Sequence, residues 1–330
     1  MMRLIQKKTA RLLICLLMGT VILSCGQTES GNTADGGTVS EHKIHVVTSN
    51  FVLYDFARQV GGEDISVEML LKPGVDSHSY EPAPADMIAL SEADVLLYIG
   101  GESEGWIQTM LDAADTNQGQ KRLALMDCVT LLEEETDGDD LSESDGSSEA
   151  EYDEHIWTSP VNAIDMVAAI RDVLTEADSK HGEDYAEGAA EYIAKLQELD
   201  AEIREIVANA DKKELIFADR FPFLYFAKEY GLTYYAAFPG CSASTEASAK
   251  TVRELIERVR EDDVTAVCHI ELSNTQLSDT IARETGTVSV QLTACHNISE
   301  EDYLAGRTYL DYMEENAAVL REVLYGADSM

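Results

Sequence analysis

Three of the seven histidines stand where an imidazole could meet a cation. His78 lies in KPGVDSHSYEPAPAD (Lys72–Asp86), directly after the apolar run Val67–Leu71. Pro73 and Gly74 turn the chain before it, and Pro82 and Pro84 stiffen its exit. His155 closes an intensely acidic segment and opens HIWTSP, where Ile156 and Trp157 should bury and Pro160 should start a helix. His296 follows in TACHNIS, a few residues past the last apolar strand candidate. A neutral imidazole offers a nitrogen lone pair to borderline-soft metals, so three at the ends of separate strands could share one ion. The other histidines carry less: His45 and His269 alternate with apolar residues as structural strand residues, and His42 and His181 read as solvated. There is no HExxH, no histidine pair at i, i+4 and no CxxC, so helical zinc-protease and thioredoxin-type chemistry lack support.

Positioning such a site needs strands whose ends converge. The chain from Ile44 holds an approximate internal repeat. Strand Ile44–Thr48, helix Val52–Val60, strand Ile65–Leu71, the His78 loop, helix Ala85–Glu92 and strand Val95–Ile99 form the first copy. Strand Leu215–Ala218, helix Phe223–Tyr230, strand Thr233–Ala237, a loop, helix Glu246–Glu261 and strand Val264–Ile270 form the second. Helix Gln276–Thr285 and strand Val288–Leu292 extend it. Strands alternating with helices predict parallel α/β sheets, whose ligands bind beyond the carboxyl ends of the strands. Between the copies, Asn162–Thr175 and Glu183–Ala210 read as helices. In the second, Ala186, Ala190, Ile193, Leu196, Leu199, Ile203, Ile206 and Val207 mark one apolar face. Such a helix would span roughly 40 Å and join two lobes rigidly. The expected division is a leader at 1–24, a tether at 25–42, an N-terminal lobe at 43–180, a linking helix at 181–211 and a C-terminal lobe at 212–330. Segment 132–154 has no hydrophobic periodicity and reads as an acidic loop, of which Glu133–Asp153 should be dispensable to both fold and site.

The formal charge of −38, from 24 Lys+Arg against 62 Asp+Glu, excludes a nucleic-acid backbone as partner and favours cations. Arg3, Lys7, Lys8 and Arg11 precede the apolar run Leu12–Leu23, which is short for a membrane span and reads as a cleaved signal. It ends in Leu23-Ser24-Cys25-Gly26, similar to a bacterial lipobox with Cys25 as the acylated residue. Several acyl chains would anchor a monomeric domain to the membrane. Cys268 reads as a small buried hydrophobe. Cys241 and Cys295 each follow a second-half strand on one side of the sheet, close enough for an expected disulfide.

The lipobox, PG-D-H-YEP-P-D, HIW-P, DRFPFLYFAKEYGL and the helical spacer together resemble the metal-binding solute-binding lipoproteins of ABC importers, the ZnuA-like adhesin family of zinc and manganese type. The resemblance covers about Lys43 to Tyr325. It implies two α/β lobes joined by a long backbone helix, with one metal in the cleft, handed to a membrane permease by a protein that is not an enzyme. It also implies an extracytoplasmic, lipid-anchored location, here the outer face of a Gram-positive membrane, and at times an adhesion role. His78 and His155 match the family's first two ligands. The third ligand position falls on Arg220, whose guanidinium has no lone pair to give. The fourth falls on His296. Arg220 should pair with Glu271 or Glu246, and Glu271, Glu246 or water should complete the coordination. Three imidazoles favour Zn²⁺ over Mn²⁺, whose binders in this family supply two carboxylates. The family further suggests metal recruitment by the acidic loop. A secreted zinc hydrolase is the enzyme alternative.

Overall fold

The computed structural model describes residues 43–75, 80–114, 117–134, 151–240 and 247–326. In the first half, β1 (Ile44–Thr48), α1 (Phe51–Gly61), β2 (Ile65–Met69), α2 (Pro84–Glu92), β3 (Val95–Tyr98), α3 (Gly105–Ala113) and β4 (Lys121–Ala124) follow in order. Helices α4 (Pro160–Ala177) and α5 (Gly182–Asn209) come next. The second half holds β5 (Glu214–Phe221), α6 (Leu224–Tyr230), β6 (Thr233–Pro239), α7 (Ala249–Glu261), β7 (Ala266–His269), α8 (Gln276–Thr285), β8 (Val288–Gln291), α9 (Glu300–Ala305) and α10 (Tyr309–Tyr325).

The strands form two four-stranded sheets, ordered β2-β1-β3-β4 and β6-β5-β7-β8, with every pairing parallel. Counting strands within each half, both orders read second, first, third, fourth. The repeat seen in the sequence is therefore a repeat of topology. Strand β4 and helix α3 escaped the sequence reading. Lys121 and Arg122 hide the periodicity of β4, which is only partly buried.

Each sheet has one face on a shared apolar core and the other on a smaller cluster of its own. Val46, Val95 and Leu97 of the first sheet and Leu215, Phe217 and Cys268 of the second face the shared core. Val47 and Leu96 lie instead under α2 and α3, and Ile216 and Val267 under α7 and α8. This is the period-two alternation of strands covered by helices on both faces. The shared core is organised by α5, which packs against α1 and α4 of the first half and α6 and α10 of the second. Its 28 residues extend about 42 Å. Its buried face begins with Tyr185, Ala189 and Tyr192, not with Ala186, Ala190 and Ile193 as the spacing suggested. The tyrosines win because aromatic partners await them, Phe56 meeting Tyr192 edge-on at 5.8 Å.

Asp55 of α1 is a buried tie between the halves. Its Oδ2 accepts bonds from Tyr309 N of α10 at 2.9 Å and Tyr192 Oη of α5 at 3.3 Å, and Oδ1 accepts from Gln59. Burial raises its carboxyl above the usual range despite these bonds. His45 behaves as a strand residue, its Nε2 3.4 Å from Glu68. His269 is enclosed beside Ser278 and Ser289. His181 departs from its expected solvated state: it is largely covered, with Nδ1 2.5 Å from Asp178 Oδ2 at the entry to α5.

Candidate metal centre

The turn Ile156–Thr158 sets His155 at the start of a helical entry, with Thr158 donating both N–H and hydroxyl to the His155 carbonyl. The ring is almost wholly buried, and its Nδ1 lies 3.0 Å from Asp153 Oδ1. The same oxygen accepts the His155 backbone N–H at 2.8 Å. A carboxylate at Nδ1 draws the ring proton there and leaves Nε2 with its lone pair, the state a metal requires. Asp153 is held in turn. Its N–H reaches Leu132 O at 3.0 Å, and its carbonyl accepts Tyr225 Oη at 2.8 Å.

His296 comes to meet this ring from the loop after β8. The two imidazole centroids are 4.4 Å apart at 76°. Trp157 lies edge-on to both, at 5.6 Å from His155 and 5.3 Å from His296, and its Nε1 donates to Ala294 O at 2.7 Å. Glu271, after β7, holds the His296 loop by its backbone. Oε2 accepts Ala294 N at 2.7 Å and Oε1 accepts His296 N at 3.1 Å. Burial raises the Glu271 carboxyl to about 7, against the lowering effect of those N–H donors and of the Arg220 charge. Both Glu271 oxygens thus hold the loop by its backbone, each with a second lone pair remaining. The Arg220 charge acts on Glu271 and opposes the effect of burial there.

His78, Cys241, Glu246 and Cys25 lie outside the described residues. The root of the His78 loop is nevertheless tied to the His296 loop. Asn297 Nδ2 donates to both Lys72 O and Val75 O at 2.7 Å, and Gly74 N donates to Ile298 O at 2.8 Å. On the exit side, Tyr80 Oη donates to Asp86 at 2.6 Å and its ring meets Trp106. Among the described residues, no three His, Cys, Asp or Glu side chains are arranged to hold a metal. Cys295 carries a free, buried thiol at a left-handed φ of 60°, and its expected partner Cys241 lies outside the described residues. The Sγ lies 3.9 Å from Thr293 O, and Glu271, Asp55 and Glu315 act on it, which sets it in the interior.

Three carboxylates were missed by the sequence reading. The sequence places Asp153 and Glu154 in the acidic loop and makes Glu133–Asp153 dispensable. The structure corrects this, because Glu133 and Tyr152 form an antiparallel bridge and Asp153 and Glu154 are buried beside His155. Glu154 accepts Ser103 N at 2.8 Å and also the Ser103 hydroxyl. Glu104 accepts Ile99 N at 2.7 Å and Gly100 N at 3.1 Å, and burial raises it to about 7 with a further push from Glu154. Two acids immediately before a candidate ligand were the available signal for the first pair. A cavity of about 20 Å³ opens among Asn50, Ser103, Glu104, Glu154, His155 and His296, room for one water-sized body. A larger cavity of about 880 Å³, between β6 and α7, mixes Lys250 and Arg258 with Glu254, Glu257 and Glu261 and reaches Asp153 from behind.

Parallel strand ends that present a buried imidazole pair, one ring oriented by a carboxylate, define an α/β ligand-binding protein with a metal-type pocket. The family described as the zinc-uptake complex component A, periplasmic (ZnuA) matches residues 46–323, and the chain belongs to it. The zinc-binding lipoprotein AdcA of Streptococcus pneumoniae is 30% identical over 315 residues, 96% of this chain, and this chain spans 61% of AdcA's length. The high-affinity zinc uptake system protein ZnuA of Bacillus subtilis is 30% identical over 96% of this chain and 98% of its own. The Zn(II)-bound ZnuA-like domain of AdcA superposes with a TM-score of 0.71 at 30% identity, covering 86% of this chain and 99% of that domain.

Proposed function

We propose that this chain is an extracytoplasmic solute-binding lipoprotein that captures Zn²⁺ and delivers it to an ABC-type permease. The observation that carries the reading is the His155–His296 pair, 4.4 Å between centroids, with Asp153 fixing the metal-facing nitrogen of His155. His78 is the third donor in this reading, which the ties of Lys72, Gly74 and Val75 to Asn297 and Ile298 support. Glu271, Glu246 or water completes a tetrahedron. The zinc-binding names of AdcA and the Bacillus ZnuA support zinc as cargo. Three nitrogen donors suit Zn²⁺ better than Mn²⁺.

In this reading Cys25 carries the lipid, 25–42 is the tether, and residues 43–180 and 212–330 form lobes joined by the helix at 181–211. Among the described residues no helix is long and apolar enough to cross a membrane. The protein works as a monomeric carrier on the outer face of the membrane and not as a hydrolase.

The deciding experiment is a competitive titration of metal-free soluble protein with Zn²⁺ and Mn²⁺ against a chromophoric chelator. One tight Zn²⁺ equivalent, with Mn²⁺ much weaker and no turnover of ester, peptide or phosphate substrates, is expected. Equal affinity for the two metals, or hydrolysis dependent on bound zinc, would refute the assignment.

A further inference from the structure

Imidazoles contribute electron pairs but, when neutral, no negative charge. A divalent cation among them would keep both positive charges inside a buried wall. Two carboxylates that the ligand assignment does not use share that wall, Glu104 and Glu154. Each is held by donors of one loop, between β3 and α3. Glu154 takes the Ser103 N–H and hydroxyl, and Glu104 takes the Ile99 and Gly100 N–H groups. The loop closes directly over Glu154, since a Cβ at Gly101 would fall 2.5 Å from its carboxylate. The two acids are near enough for the charge of Glu154 to act on Glu104. Like charges packed into a buried wall are unfavourable unless something positive offsets them. Neither forms an ion pair with Lys or Arg among the described residues. The Arg220 charge acts on Glu271.

Resting on the zinc-capture reading above, we propose that Glu104 and Glu154 are specificity-determining residues that select a doubly charged cation by offsetting its charge through space. They do so without ligating it, because the donor bonds of the loop fix their carboxylates in place. Coulomb energy is proportional to the charge of the ion. Neutralising one carboxylate therefore lowers the logarithm of affinity twice as much for a dication as for a monocation in the same place. This separates charge offset from scaffolding, which would weaken both ions alike.

The test uses Glu154→Gln and Glu104→Gln in the soluble chain. In each, the amide oxygen can keep a backbone N–H bond while the negative charge is gone. Circular dichroism confirms the fold of each variant, and either variant alone suffices for the comparison. Affinities for Zn²⁺ and, under anaerobic conditions, Cu⁺ are measured by chelator competition at one mildly alkaline pH. About a tenfold loss for Zn²⁺ with about a threefold loss for Cu⁺ is expected, following the charge ratio. Equal losses for the two ions, or an unchanged Zn²⁺ affinity, would overturn the proposal and leave zinc capture standing. Failure of the unaltered chain to bind Zn²⁺ would overturn both.

Discussion

The two halves of this molecule share one strand order yet use it for different chemistry. In each, the connection after the third strand carries a half-buried glutamate that grips backbone N–H groups and is pushed up to about 7 by desolvation. Glu104 spends its bonds on its own strand end, at Ile99 and Gly100. Glu271 reaches across to the next strand's exit and holds Ala294 and His296. The first strands diverge as well: β1 exits through Asn50, which caps α1, whereas β5 carries Asp219 and Arg220 within its own last residues. A duplicated scaffold thus supplies a carboxylate anchor twice, and the second half turns its anchor toward a ligand-bearing loop. The lesson is that shared topology fixes where a group can act, while the neighbouring loop decides what it acts on.

The sharpest way to break this comparison is to remove the rings themselves. His155→Ala and His296→Ala should each lower Zn²⁺ affinity by more than about a hundredfold, beyond the range typical of groups that only orient a ligand. His45→Ala, whose ring meets Glu68 at the surface of the first sheet, should change it little. Chelator competition measures all three. A His296 variant with intact affinity would show that the second half contributes no donor from this loop.

A smaller effect tests the paired glutamates. Glu271→Ala should cost about 10- to 100-fold in Zn²⁺ affinity by releasing the His296 backbone. It should also cost about 1–3 kcal/mol of stability for each buried N–H left unpaired. Glu104→Ala should show a comparable stability loss in thermal unfolding. Its affinity loss should be smaller, because its bonds end on Ile99 and Gly100 and not on a ligand-bearing loop. If Glu104→Ala weakened zinc more than Glu271→Ala did, the functional asymmetry between the halves would be wrong.

Much of this architecture was readable because strands and helices leave periodic traces. Seven of the strands lie on the apolar runs of the sequence, and Gly182–Asn209 falls within a residue of the expected helix at each end. Strand β4 was not readable, since Lys121 and Arg122 break the pattern and its pairing partner, β3, supplies the register. The meeting of His155 and His296 was an inference from motif and strand ends. The carboxylates around them were illegible for a different reason. Glu154 looks like one more acid in a run of acids, and only long-range contact with Ser103 shows that it is buried. Proximity in a topology diagram says nothing about which way a thiol points, and that of Cys295 is buried in the core.

The smallest effect concerns the tie that makes the halves cohere, Asp55. Its carboxyl accepts from α5 and α10 while sitting on α1, and burial holds its folded pKa above the ordinary carboxylate value. The folded state therefore binds this proton more tightly than the unfolded chain does. Its contribution to stability is fully present below the unfolded value, near 3.8, and declines as pH rises through the folded value. Asp55→Asn keeps an oxygen to accept the Tyr309 N–H but cannot titrate. Wild type should thus lose stability relative to the variant as pH rises above the usual carboxylate range. Thermal unfolding of both proteins across a pH series reads this directly as a shrinking gap in Tm. A gap that widened with pH would mean that Asp55 is stabilised as the anion, so that the tie between the halves rests on charge-assisted bonds and not on a buried proton.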